Sequence, residues 1–109
     1  MSALVKNPAA IRLGIIGYTP GNGHPYSWSA IVNGFDRERM NRECVGDGMG
    51  FTGYLNKVAP ERLGIDGVRV THVACEGIDK AAHIAVVCGI DQVCPRPEAM
   101  IGQVDAVIV

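Results

Sequence analysis

The sequence predicts an α/β fold built on a parallel sheet with helices on its faces. Hydrophobic residues, mostly Val, Ile and Ala, make up 48% of the 109 residues. They gather in short continuous runs, as in strands that are buried on both faces. Segments with helical periodicity separate these runs, and such alternation is typical of strands joined by crossover helices.

The first strand is predicted at Ile11–Gly17, an apolar run that ends in glycine. A turn cluster of Gly, Pro and Asn follows over Tyr18–Pro25. Tyr26–Asn33 is predicted to be helical, because its apolar residues recur at offsets of three and four, and Gly34 would end this helix. Trp28 is expected to pack in the core rather than stack on a ligand.

Residues 35–67 carry the weakest pattern, and we predict an insertion or irregular region there. Asp36–Glu43 interleaves acidic and basic residues, as on a solvated helical face. The four glycines within Gly46–Gly53 oppose regular structure. Tyr54–Leu63 adds at most a short helical turn, which Pro60 would break.

Regular pattern resumes at Val68–Cys75, a strand rich in β-branched residues. A helix is predicted over Lys80–Cys88, with Asp79 as its cap and one apolar face. The remaining predicted elements are a short strand, a brief helix and an apolar strand, at Gln92–Cys94, Pro97–Gly102 and Val104–Val109.

These elements predict a Rossmann-like parallel sheet, incomplete at about four strands, in which the fourth strand lies beside the first. A complete dinucleotide-binding sheet has about six strands, so we expect the chain to be the truncated N-terminal part of such a domain. An apolar last strand with one unpaired side favours association, so a homo-oligomer is an expected state.

Composition disfavours several other classes of protein. The net charge is -1 and the basic residues are scattered, which disfavours nucleic-acid binding. The sequence has no apolar run of about 20 residues and no signal-peptide core, so we expect a cytoplasmic protein without a membrane partner. The four cysteines form no C-x-x-C pair, so reduced thiols and no metal site are expected.

The segment with chemical potential is the glycine-rich turn between the first strand and the first helix. Glycines let the backbone approach a phosphate, and a helix start attracts negative charge. The spacing matches neither G-x-G-x-x-G nor a Walker loop, and a purely steric role for the glycines stays open. The predicted cofactor-binding residues in this turn are Gly17, Tyr18, Thr19, Pro20, Gly21, Asn22, Gly23 and His24.

An acidic residue at the end of the second strand of a dinucleotide-binding fold accepts hydrogen bonds from ribose hydroxyls. Glu76 occupies that place here, although an exposed residue without a ligand is an equal alternative. His24 would contact a phosphate or cap the helix start. His72 is expected in the core and His83 on the surface, and no residue is predicted to be catalytic.

The stretches RLGIIGYTPGNGHPYSWSAIVNGFD, VRVTHV, KAAHIAVVCGI and PEAMIGQVDAVIV resemble the N-terminal domain of the Gfo/Idh/MocA oxidoreductases. The resemblance implies an NAD- or NADP-binding Rossmann domain, followed in a longer chain by a second α/β domain. It implies hydride transfer between the nicotinamide and a sugar or cyclitol hydroxyl. By motif, Gly17, Gly21 and Gly23 would be phosphate-loop positions, and Glu76 a less secure ribose contact.

The family's catalytic lysine belongs to a motif after the next strand, and the chain does not include that motif. The small-molecule substrate is therefore expected only in a longer chain. Two alternatives stay open at this point. One is a non-catalytic nucleotide-sensing or partner-binding module that reuses the fold, and the other is a fragment with no function of its own.

Overall fold

A computed structural model describes residues 6–17, 23–44 and 51–109. The strands of this part of the chain are β1 (Ile11–Ile16), β2 (Val68–Ala74), β3 (Gln92–Val93) and β4 (Ala106–Ile108). The α-helices are α1 (His24–Asn33), α2 (Arg37–Glu43), α3 (Phe51–Asn56) and α4 (Ile78–Cys88), and 3₁₀ turns lie at Pro60–Arg62 and Pro97–Met100.

The four strands form one parallel sheet in the order β3-β2-β1-β4. The fourth strand pairs with β1, on the side opposite β2, as the sequence predicted. Helices flank this sheet, so the predicted α/β class is confirmed. The arrangement is consistent with an incomplete Rossmann-like fold.

The buried side chains form two clusters, one on each face of the sheet. Ile15 and Val73 belong to the larger cluster, whereas their neighbours Ile16 and Ala74 belong to or pack against the smaller one. Side chains of consecutive strand residues point to opposite faces, so the two clusters lie on opposite faces. The larger cluster also contains the predicted apolar face of α4, which comprises Ala81, Ile84, Ala85 and Cys88.

One extra residue in β2 shifts its register against β1. Leu13 pairs with Val70, but the next residue of β1 pairs with His72, so Thr71 is the bulged residue. The bulge reverses which residues of β2 face the larger cluster, and both Val70 and Val73 are buried there. His72 then becomes half-buried, and its Nδ1 atom lies 2.7 Å from the Thr71 hydroxyl. Burial lowers the pKa of His72.

Both long helices begin earlier than predicted. α1 begins at His24 because Pro25 fits the first turn of a helix, where its missing N–H costs no hydrogen bond. α4 begins at Ile78 after Gly77, whose φ of 87° suits glycine. The prediction that Asp79 caps α4 is therefore wrong. Asp79 lies within the first turn, where its negative charge is favourable to the helix dipole.

The region 35–67 is more helical than predicted. Asp36 caps α2, since its Oδ1 atom accepts a hydrogen bond from the Arg39 amide at 3.0 Å. α3 forms in spite of Gly53 because Phe51 and Leu55, one turn apart, are both buried in the larger cluster. Pro60 begins a 3₁₀ turn instead of breaking a helix.

The side chain of Arg37 joins α2 to α3. The Arg37 guanidinium donates to the carbonyl oxygens of Leu55 at 3.1 Å and Val58 at 2.8 Å. Leu55 lies in the last turn of α3, where helix geometry leaves carbonyls without partners, and Val58 lies two residues beyond the helix. The two short helices thus form one unit, called here the α2–α3 arm (residues 37–44 and 51–56).

Arg12 and Asp105 tie β1 to the start of β4. The Arg12 guanidinium donates to both carboxylate oxygens, from Nε at 3.3 Å and from Nη2 at 3.2 Å. The Arg12 amide donates to the same carboxylate at 2.8 Å, and the Asp105 amide donates back to the Arg12 carbonyl at 2.8 Å. These hydrogen bonds lower the pKa of Asp105 to about 2, and its side chain is only 5% exposed.

The first prediction concerns acid stability. A carboxylate with a lowered pKa stabilises the fold fully above its ordinary pKa, and this stabilisation is lost as pH falls through the lowered value. We expect the free energy of unfolding of the wild type to fall between about pH 4 and pH 2. Asp105→Asn should have a lower free energy of unfolding than the wild type at pH 6, and that free energy should fall less on acidification. Urea unfolding of the two proteins between pH 6 and pH 2 measures these free energies. An equal fall in the two proteins would show that Asp105 does not cause the acid sensitivity.

The second prediction concerns close packing at Gly14. A Cβ atom there would lie 2.4 Å from the Met100 sulfur, which is buried. Gly14→Ala should therefore destabilise the fold by about 1–3 kcal/mol through overpacking. Gly53→Ala is the matched control, because no atom lies within 4 Å of a Cβ at that helical position. The control should be neutral or stabilising, and thermal unfolding that shows equal effects would contradict the packing argument.

Candidate functional site

The carboxyl ends of β1 and β2 lie side by side. The Gly17 amide, just after β1, donates to the carbonyl of Ala74 at 3.0 Å. Gly17 has a φ of 97°, and a Cβ there would meet no atom of the described residues within 4 Å. The backbone conformation therefore favours glycine. In doubly wound sheets ligands bind at this edge, next to the strand where the strand order reverses, and β1 is that strand here.

The glycine-rich turn ends at Gly23, the residue that precedes the first helical residue of α1. The Gly23 carbonyl accepts hydrogen bonds from the amides of Tyr26 at 3.0 Å and Ser27 at 3.1 Å. Pro25, in the first turn of α1, has no amide hydrogen. The start of α1 therefore has fewer backbone donors than a helix without proline there.

The His24 and Trp28 rings stack at 4.4 Å between centroids, with an interplanar angle of 3°. His24 is exposed, whereas Trp28 is half-buried and packs against the larger cluster. The packing role predicted for Trp28 is confirmed. The capping role of His24 is wrong, because Gly23 is the N-cap and His24 is the first residue of the helix.

Glu76 is exposed and lies two residues beyond the end of β2. Because Ala74 bonds to Gly17, the predicted acidic residue and the glycine turn meet at one edge of the sheet. Arg69 is near the opposite end of β2, about 20 Å away at ~3.3 Å per strand residue, and its guanidinium donates to the Gly89 carbonyl. Arg69 is therefore too distant to pair with Glu76.

The middle of the glycine turn lies outside the described residues. This applies to Tyr18, Thr19, Pro20, Gly21 and Asn22, whose assignment to the site stays a prediction.

A hydrogen-bonded chain that the sequence did not reveal lies behind the site. The Tyr26 hydroxyl is 2.5 Å from His83 Nδ1, and His83 Nε2 is 2.8 Å from Glu43 Oε1. The prediction of a surface His83 is wrong, since only 25% of its side chain is exposed. The hydrogen bond with His83 is the main cause that lowers the pKa of Glu43. The chain joins residues 57 and 40 positions apart, which local sequence patterns cannot show.

None of the four cysteines forms a disulfide, and Cys44, Cys88 and Cys94 are buried. Burial raises the pKa of Cys88 to about 12, so this thiol stays protonated at neutral pH. Within the described residues no cluster of His, Cys, Asp and Glu could hold a metal ion, and none of the helices there is long and apolar enough to cross a bilayer.

Comparisons with known protein families, curated proteins and solved structures found no significant match. The fold and the site together define an α/β protein with a glycine-bearing strand-to-helix connection at the carboxyl edge of a parallel sheet. The resemblance to Gfo/Idh/MocA oxidoreductases stays a prediction from the sequence motifs.

Proposed function

We propose that the protein binds a dinucleotide, NAD or NADP, at the carboxyl edge of its sheet. It would act as the N-terminal part of an oxidoreductase of the Gfo/Idh/MocA type. The observation that carries the proposal is the left-handed Gly17 at the carboxyl end of β1, whose amide bonds to the strand end that leads to Glu76. A ligand backbone can approach a glycine of this conformation closely.

The residues at this edge suit the two ends of the adenosine diphosphate moiety. The positive end of the dipole of α1 would attract the pyrophosphate. The Glu76 carboxylate would accept hydrogen bonds from the ribose hydroxyls and repel a 2′-phosphate, which favours NAD over NADP. The cofactor supplies the hydride chemistry, and this chain would hold and orient it.

The substrate would be a sugar or cyclitol with an oxidisable CH–OH group, bound by a longer chain. We assign no catalytic residue among the 109 residues. The second candidate function is a non-catalytic module that senses a nucleotide or binds a partner. Pro25 in the first turn of α1 favours it, because the missing amide weakens the grip on a phosphate.

The proposal is tested by fluorescence titration. The single tryptophan, Trp28, stacks on His24 at the start of α1, so it reports on this edge directly. We expect NADH to quench Trp28 saturably, with energy transfer to the reduced nicotinamide. Quenching that rises linearly with NADH up to millimolar concentration would refute dinucleotide binding. Saturable binding without oxidation of any sugar or cyclitol by the full-length protein would favour the sensing module.

The role of Glu76 gives a further prediction. Glu76→Ala should weaken NADH binding about tenfold, because hydrogen bonds to a charged group contribute ~1.5–3 kcal/mol. The same change should reduce the ratio of the affinity for NADH to the affinity for NADPH, because the carboxylate no longer repels the 2′-phosphate. Glu61→Ala is the control, since it removes an exposed carboxylate that lies near the amino end of β2, opposite to the end that leads to Glu76. An equal loss in both variants would indicate an effect of net charge rather than a ribose contact.

A further inference from the structure

Tyr26, in the first turn of α1, contacts Gly23 and two further helices, α3 and α4. Its amide donates to the Gly23 carbonyl at 3.0 Å, and its side chain is fully buried. The phenol ring stacks on Phe51 of α3, with 5.3 Å between centroids. Its hydroxyl bonds to His83 of α4 at 2.5 Å, and its carbonyl accepts from the Cys88 thiol at 3.6 Å. The position of Tyr26 therefore sets the position of Gly23.

An ionised Glu43 can only accept, so the Nε2–H of His83 donates to it. In the His83 tautomer that carries its proton on Nε2 alone, Nδ1 accepts a hydrogen bond from the Tyr26 hydroxyl. The chain runs from the buried phenol to a carboxylate on the α2–α3 arm. Arg39 and Arg42 hold that carboxylate, with closest contacts of 3.5 Å and 3.2 Å.

We propose that Glu43 and His83 are positioning residues for the candidate nucleotide site, which they serve by holding Tyr26 and hence Gly23 in place. The inference rests on the proposed function for its effect on affinity. The buried Tyr26 would not touch a ligand, so its influence passes through the backbone bond to Gly23. In this arrangement the α2–α3 arm regulates the geometry at the start of α1.

The inference implies acid sensitivity of the site. The titratable and charged groups in contact with His83 and Glu43 are Tyr26 from α1 and Arg39 and Arg42 from α2, while Phe51 of α3, which stacks on Tyr26, carries no charge. His83 holds the pKa of Glu43 below its ordinary range. The hydrogen bond between His83 and the Glu43 carboxylate should therefore be fully formed above the ordinary pKa of a glutamate. It should be lost as pH falls through the lowered pKa of Glu43.

The test compares His83→Leu with His83→Gln, whose amide can accept from Tyr26 and donate to Glu43. The first measurement is amide hydrogen exchange by NMR at Tyr26 and Ser27 in the ligand-free protein. We expect His83→Leu to speed exchange there about two- to tenfold, the range for loss of a hydrogen bond. His83→Gln should restore most of the protection. NADH affinity should fall and recover in parallel.

Glu43→Ala is the second variant, since it removes the acceptor of His83 from a side chain that is 29% exposed and remains informative if His83→Leu does not fold. Glu38→Ala, on the same helix and 89% exposed, is its matched control and should change nothing. Faster exchange at Tyr26 and Ser27 in Glu43→Ala alone supports the inference. Unchanged exchange there, or equal acceleration at every amide, overturns it. If the wild type does not bind NADH, the proposed function is refuted. The exchange data still decide whether the hydrogen bonds of His83 with Tyr26 and Glu43 position the start of α1.

Discussion

The fold depends on β1, whose hydrogen bonds reach β2 on one side and β4 on the other. A parallel strand in this position must be buried on both faces, which explains its continuous apolar sequence. Near its amino end, Arg12 forms a hydrogen-bonded ion pair with Asp105. At its carboxyl end, the strand is followed by Gly17, which has a positive φ.

Tertiary packing decides the structure of the region between α1 and β2. Neither α2 nor α3 is long enough to be stable alone, because isolated helices shorter than about 12 residues are marginal in water. Met40, Phe51 and Leu55 anchor the two helices in the larger cluster, and Arg37 joins them to each other. The arm that results packs against α1 and α4 and fixes Tyr26 at the start of α1.

The site combines a permissive backbone with a sparse set of donors. Gly17 has a left-handed conformation at the strand edge, while Pro25 and the bonded amide of Tyr26 limit what α1 directs outward. Such a site would depend on the accurate placement of Gly23 more than a site with many amides would. The proposed role of the hydrogen bonds among Tyr26, His83 and Glu43 is to provide this accurate placement.

The sequence by itself determined the class of the fold, the order of its elements and the candidate turn, because apolar runs and glycines act locally. It could not determine the bulge at Thr71, the helix at Phe51–Asn56 or the partners of His83. Those features arise from contacts between residues far apart in the chain. Only the tertiary structure could show that Gly17 bonds to Ala74, two residues before Glu76, and that His83 bonds to both Glu43 and Tyr26, since strand pairing and helix packing create these contacts.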